Sequence, residues 1–290
     1  MNSELLKPFN LCFKILKFLG LWQDGLQSSA YRIIGYLSHF AMFELCIVGQ
    51  VLYMINADRT DEKIEDWIDS LRIFIVCISL VARSFNFIAK IDKISKAVKA
   101  VNQMTIFTDP LYVLQGHALQ RAKIIVKVIK IYWLCAGIFS TFSIIAGIIS
   151  HQILFKIWLP FDAESCEACY WIETCFLTLN ISYVTSAAVA LDMLPLAFIC
   201  FVVGLVEELS DRLAAVTTNE ELIKCIQFHI EIKEFVKKIH ANFAAVILLD
   251  GFVSSTVFCV CAFLMSMASL FVTRKLLSFN KLTFCVLLGI

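Results

Sequence analysis

Charge is scarce in this sequence. Only 17% of its 290 residues are Asp, Glu, Lys or Arg, and most lie between apolar stretches, so acid–base pairs in a buried pocket are hard to assemble. There is no Gly-rich phosphate loop and no nucleophile elbow. His39, His117, His151, His229 and His240 are not spaced with carboxylates or cysteines as a metal site requires. Cys166 and Cys169 form one C-x-x-C, and the second pair that a zinc site needs is absent. These absences argue against an enzyme and imply neither metal nor cofactor. Met1–Trp22 carries Lys7, Lys14 and Lys17 but no small-residue cleavage site. No cleavable signal peptide is read there, and the first apolar stretch is expected to insert as an uncleaved anchor.

Apolar residues are abundant instead. They make up 60% of the chain, mean hydropathy is +0.81, and phenylalanine alone contributes 25 residues. Soluble domains are about 45–50% apolar, so a water-facing surface cannot hide this much. Five long apolar stretches lie near 33–55, 68–89, 131–155, 170–206 and 243–273. Each is long enough to cross a hydrocarbon core of ~30 Å at ~1.5 Å per helical residue. Lipid offers backbone N–H and C=O groups no partner, so these stretches are expected to be helices. The fold class is all-α, a polytopic membrane helix bundle with five full spans. Most of the twelve cysteines, among them Cys46, Cys77, Cys135 and Cys200, fall inside these stretches and read as small hydrophobes. A transporter usually shows inverted repeats and Pro/Gly-broken helices at midplane. Here only four prolines exist, Pro195 alone lies inside a span, and no two halves look alike.

Lys and Arg alternate by side. The N-terminal segment, the connection between spans two and three, and the connection between spans four and five together hold seventeen, from Lys7 to Lys238. The two intervening loops hold three: Arg59, Lys63 and Lys156. The positive-inside rule therefore makes the N-terminus cytoplasmic, opposite to a G-protein-coupled receptor.

Long cytoplasmic helical extensions are predicted as well. Ile91, Ile94, Val98 and Val101 repeat at helical spacing, as if span two continues past the bilayer. Span four is expected to run on through Leu205–Leu213. After a polar break at 217–219, Thr218 and Glu221 fit a capping box. A new helix then carries the apolar stripe Leu222, Ile226, Ile230 and Val236 into span five. Three ionisable residues fall within spans. Glu44 is expected to pair with span two or four or to be protonated, Arg83 to snorkel to the interface, and Asp192 to anchor a helix–helix contact. Cys166, Cys169 and Cys175 lie on the oxidising face, where a Cys166–Cys175 disulfide and free thiols both remain open.

Several marks together resemble the insect odorant receptors. Leu19-Gly20-Leu21-Trp22, preceded by Lys14 and Lys17, is similar to that family's opening motif. Leu159-Pro160-Phe161-Asp162, with Tyr170 further on, is similar to its second extracellular loop. Leu222, Cys225-Ile226, His229, Ile232 and Phe235 reproduce its L-x-x-C-I-x-x-H-x-x-I-x-x-F pattern before span five. The resemblance covers residues 1–273. It implies the odorant-binding subunit of a ligand-gated cation channel, formed with a co-receptor in the plasma membrane and acting in the sense of smell. A gustatory receptor is the alternative within the same superfamily.

The resemblance further implies a pocket for a small, volatile, mostly apolar ligand in the outer halves of spans two, three and four. Candidate wall residues are Phe74 and Ile78, Ser143, Gly147 and Ser150 at i, i+4, i+7, and Tyr183. Small residues at that spacing equally serve close helix packing. Cys225, His229 and Phe235 are expected to pack the cytoplasmic helices, His229 by packing rather than as a pH sensor. The other implied partner is the bilayer; nucleic acid is not implied. Family members have seven membrane helices, the last lining the pore. Residues 274–290 are instead an atypical apolar tail, with about 15 residues after Arg274-Lys275 against the ~17–25 that a span needs. A truncated, non-conducting isoform is the corresponding expectation.

The charge asymmetry generates a direct test. A tag at Met1 should be reached by antibody only after permeabilisation, while one inserted at Asp61 should be reached in intact cells. A Met1 tag stained in intact cells refutes the orientation.

Overall fold

A computed structural model describes residues 5–22, 29–56, 64–101, 116–151, 153, 157–160 and 166–288. Phe161-Asp162 of the loop motif lies outside the described residues, as do the side chains of the 274–290 tail. The described residues are almost entirely helical, with no strand among them. Helix α1 (Lys7–Phe18) is short and amphipathic. Span one is α2 (Ser29–His39), a π-helical turn (Phe40–Glu44) and α3 (Leu45–Asn56). Then come α4 (Ile64–Val101), α5 (His117–Ser150), α6 (Glu167–Ala215) and α7 (Asn219–Leu288). Five helical stretches are long and apolar enough to cross a membrane: Ile33–Asn56, Ile73–Val101, His117–Ile149, Glu167–Ala215 and Asn219–Val260. The all-α membrane bundle is thus as expected, with its spans in the expected order.

Each helix end has a local cause. α1 begins with Pro8 in its first turn, where a missing N–H costs nothing. It ends at Gly20, whose φ of +77° is the left-handed conformation of a helix C-cap. There the amides of Leu21 and Trp22 donate to the Leu16 carbonyl at 2.8 and 3.1 Å. At the start of α7 the Glu221 amide donates to Thr218 Oγ1 at 3.3 Å, and the Thr217 and Thr218 amides donate to the Glu221 carboxylate at 2.9 and 3.1 Å. That is the capping box read from the sequence, widened by one residue.

The centre of the bundle is α6, which packs against α1, the π-helical turn, α4, α5 and α7. Leu191, Leu194, Ala197, Phe198, Phe201, Leu205 and Leu209 follow helical spacing and are buried. Helix α1 lays Phe9, Cys12 and Leu16 on this face, with the Phe9 ring 4.6 Å from that of Phe198. Burial pushes the Cys12 thiol up to about 12, so it stays neutral and packs as a small hydrophobe. The extensions form as expected: α4 runs unbroken to Val101 with Ile94, Val98 and Val101 buried, and α6 runs to Ala215.

The expected stripe of α7 is corrected. Leu222, Ile226, Ile230 and Val236 are 41%, 51%, 50% and 40% exposed, while Cys225, Phe228, Ile232, Phe235 and Ile239 form the buried row. This helix has two apolar faces, and the one carrying aromatic rings fills the space beside Phe198 and Phe201. The 274–290 tail does not break away either, since α7 continues without interruption to Leu288.

Two backbone crossings leave no room for a side chain. A Cβ on Gly35 would lie 2.7 Å from the Gly20 carbonyl oxygen, and one on Gly204 would lie 2.7 Å from Ala118 Cα. Gly35→Val should therefore lower the thermal midpoint of the detergent-solubilised protein, at a cost of about 1–3 kcal/mol. Gly137→Val is the matched control, because nothing lies within 4 Å of an added Cβ there. Equal midpoints for the two variants would show that the Gly20–Gly35 contact does not hold α1 to span one.

Candidate functional site

The outer half of the bundle is closed by the segment that precedes α6. The Trp158 amide donates to the Gly49 carbonyl at 2.9 Å. Ile157 packs there with Cys46 of α3 and Leu177 of α6, and Ile73, Leu159, Phe176 and Ile181 surround them. Just inward, span one carries its π-helical turn. A wider turn misaligns carbonyls, and the Asn180 side-chain amide of α6 donates to the freed Met42 carbonyl.

The π-helical turn also decides the fate of Glu44. Its carboxylate lies 3.3 Å from His39 Nδ1 on the same span, not against span two or four as expected. Hydrogen bonding from i to i+5 brings residues five apart together, which a sequence read at α-helical period does not anticipate. His39 is 5% exposed, and its ring packs against Phe43 at 4.7 Å. Buried polar groups continue along this seam. Gln50, Ser79 and Ser84 are at most 2% exposed, and their side-chain polar atoms have no hydrogen-bond partner among the described residues. Sequence reading missed Gln50, although a glutamine inside an apolar run was a visible signal.

The candidate wall residues are scattered around this region. Phe74 on α4 is partly buried, and Ile78 one turn later is 45% exposed. Gly147 on α5 is partly exposed, and the side chains of Ser143 and Ser150 lie outside the described residues. Tyr183 on α6 is partly buried, and its hydroxyl donates to the Leu19 carbonyl at 3.0 Å. Its ring lies 5.6 Å from Phe43, so Tyr183 ties α6 to the start of span one. A groove of about 490 Å³ does run along α5, but it is lined by Trp133, Leu134, Gly137, Ile138, Thr141, Phe142 and Ile145. None of the candidates lines it.

Two further expectations change. Cys166 is disulfide-bonded to Cys169 rather than to Cys175, which is a free, exposed thiol. Cys166 caps α6, so Cys169 lies within the first turn, and the Cys169 amide donates to the Cys166 sulfur at 3.1 Å. Three residues of helix return a side chain to its own end, whereas nine carry it two turns away. On α7, Cys225 and Phe235 pack as expected, but His229 is exposed one position round from the buried row. Phe228 packs in its place.

Deeper in the bundle, Arg83 does not snorkel. It is 7% exposed, and its guanidinium pairs with Asp192 of α6 and Asp250 of α7. Asp192 thus anchors a helix–helix contact as expected, through a three-helix ion cluster. Toward the Lys/Arg-rich side, α5 and α6 are clamped again. Arg121 donates through both Nε and Nη2 to Glu207, and His117 Nε2 lies 2.7 Å from Asp211. Among the described residues no cluster of His, Cys, Asp and Glu is arranged to hold a metal.

The fold and this buried polar seam define a multi-span membrane helix bundle. Residues 63–288 match the 7tm Odorant receptor family, and the chain belongs to that family of receptors. It is 24% identical over 115 residues to Odorant receptor 33b of Drosophila melanogaster, a match spanning 36% of this chain and 30% of that relative's length. The fold is similar to that of the insect olfactory receptor OR5 from Machilis hrabei. The TM-score is 0.66 at 13% identity, over 88% of this chain and 70% of that one. For the same receptor in complex with eugenol it is 0.70 at 13% identity, over 90% and 71%.

The ion cluster generates its own test. Arg83→Met strands two carboxylates in a medium that does not solvate them and should cost about 3–5 kcal/mol. Combining it with Asp192→Asn and Asp250→Asn should recover most of that loss, read as thermal midpoints in detergent. An equal loss in the single and triple variants would mean that the guanidinium stem, not its charge, holds the three helices.

Proposed function

We propose that this chain is the odorant-binding subunit of a ligand-gated cation channel, assembled with a co-receptor in the plasma membrane and acting in the perception of smell. The observation that carries this reading is family membership together with a fold similar to that of a receptor solved with eugenol bound. The ligand is small, volatile and mostly apolar. In such a site shape and aromatic contacts set selectivity, and a few placed polar groups set orientation. The outer halves of α4, α5 and α6 supply the wall, with Phe74, Ile78, Ser143, Gly147, Ser150 and Tyr183 as its candidate residues. Binding there changes how α6 sits against its neighbours, and the three-helix ion cluster is a direct mechanical link from that region to α7.

The test is co-expression with a co-receptor under voltage clamp, with a panel of volatile odorants that includes eugenol. Odorant-evoked current that needs this chain supports the assignment. A chain that reaches the cell surface with its co-receptor yet answers no volatile, only soluble tastants, would transfer it to taste. Within a responding complex, Gly147→Leu adds roughly 3 kcal/mol of apolar bulk at ~0.8 kcal/mol per CH₂. Large odorants should lose potency first while surface expression stays near normal. Reduced expression with an unchanged odorant ranking would assign Gly147 to helix packing.

A further inference from the structure

A second cavity lies away from the odorant region, on the Lys/Arg-rich side of the bundle. It holds about 630 Å³ and is lined by Lys7, Asn10, Leu11, Phe13, Lys14, Lys17 and Trp22 of the N-terminal segment, and by Val126 and Lys130 of α5. Its shape follows from the amphipathicity of α1. Phe9, Cys12 and Leu16 bind this helix to α6, which turns the i, i+3, i+7, i+10 row of Lys7, Asn10, Lys14 and Lys17 toward α5. The floor is aromatic, with the Phe13 and Trp22 rings stacked at 4.0 Å between centroids. Among the described residues the lining brings four ammonium groups together with no Asp or Glu.

The position along α5 says what kind of anion fits. Lys130 is the last charged residue before the run that begins at Ile131. The α5 face that supplies Val126 and Lys130 continues at helical spacing through Leu134, Gly137, Thr141 and Ile145. Those residues line the apolar groove of about 490 Å³. From Trp133 to Ile145 that groove is about 18 Å long at ~1.5 Å per residue, comparable to one leaflet of a ~30 Å core. A basic cavity thus stands at the head of an apolar groove on one helix face.

We propose that this is a binding site for an anionic phospholipid of the cytoplasmic leaflet. The multiply phosphorylated inositol headgroup occupies the lysine cavity and an acyl chain lies in the α5 groove. Lysine ammonium groups bind phosphate as point charges, and basic pockets between membrane helices on the cytoplasmic side suit such headgroups. A zwitterionic headgroup brings no net charge to the cavity, and phosphatidylserine brings one.

The full chain in detergent micelles is titrated with fluorescent phosphatidylinositol 4,5-bisphosphate, phosphatidylserine and phosphatidylcholine, with soluble inositol trisphosphate as competitor. The bisphosphate lipid is expected to bind most tightly. Lys14→Gln with Lys130→Gln should weaken it roughly thirtyfold, while Lys233→Gln with Lys237→Gln, exposed lysines on α7, should leave it unchanged. Asn10→Phe keeps all four ammonium groups but fills the cavity, and should weaken binding as well. Monodisperse elution and an unchanged thermal midpoint qualify each variant as folded. Equal affinity for the three lipids overturns the proposal, as does an equal loss in the α7 control or a wild-type affinity for Asn10→Phe. Inositol trisphosphate binding as tightly as the lipid assigns the cavity to a free anion and overturns the lipid assignment.

Discussion

Arg83 places a buried guanidinium, 7% exposed, at the meeting point of three helices. An isolated buried cation costs several kcal/mol, so the guanidinium must meet carboxylates. They come from Asp192 of α6 and Asp250 of α7. Apolar packing alone leaves membrane helices free to slide and rotate, because lipid tails are as apolar as leucine. A charge cluster with one geometry removes that freedom and sets the depth and rotation of α4, α6 and α7 together.

From that point the rest of α6 follows outward and inward. Outward, Asn180 meets the Met42 carbonyl of the π-helical turn and Tyr183 meets the Leu19 carbonyl, so the outer half of α6 is tied by hydrogen bonds to main chain. Inward, Gly204 lets α5 approach to backbone contact, and Arg121–Glu207 and His117–Asp211 close the crossing. The buried polar groups of His39, Gln50, Ser79 and Ser84 are costly in an apolar medium.

The two sides of the membrane carry different chemistry. On the outer side a short loop and the Cys166–Cys169 disulfide cover an apolar end. On the Lys/Arg-rich side, lysines converge on a cavity built from the N-terminal segment and α5.

Much of this was legible from the chain alone, for identifiable reasons. Hydrophobic length sets the spans because lipid satisfies no backbone group. Thr218 with Glu221 set the start of α7 because capping is local chemistry. The family pattern before span five was equally plain, being contiguous in sequence. What the sequence left open depended on residues far apart along the chain. Arg83 read as a snorkelling residue because its partners lie on α6 and α7, and only packing reveals them. Glu44 meets His39 because a π-helical turn, stabilised from α6, departs from the α-helical period. Helix α7 has two apolar faces of similar strength, and the phenylalanines already present on α6 decided which is buried. Local energetics thus determined helices and caps; which face meets which neighbour was decided by tertiary structure, since it depends on shapes and charges that only the folded bundle brings together.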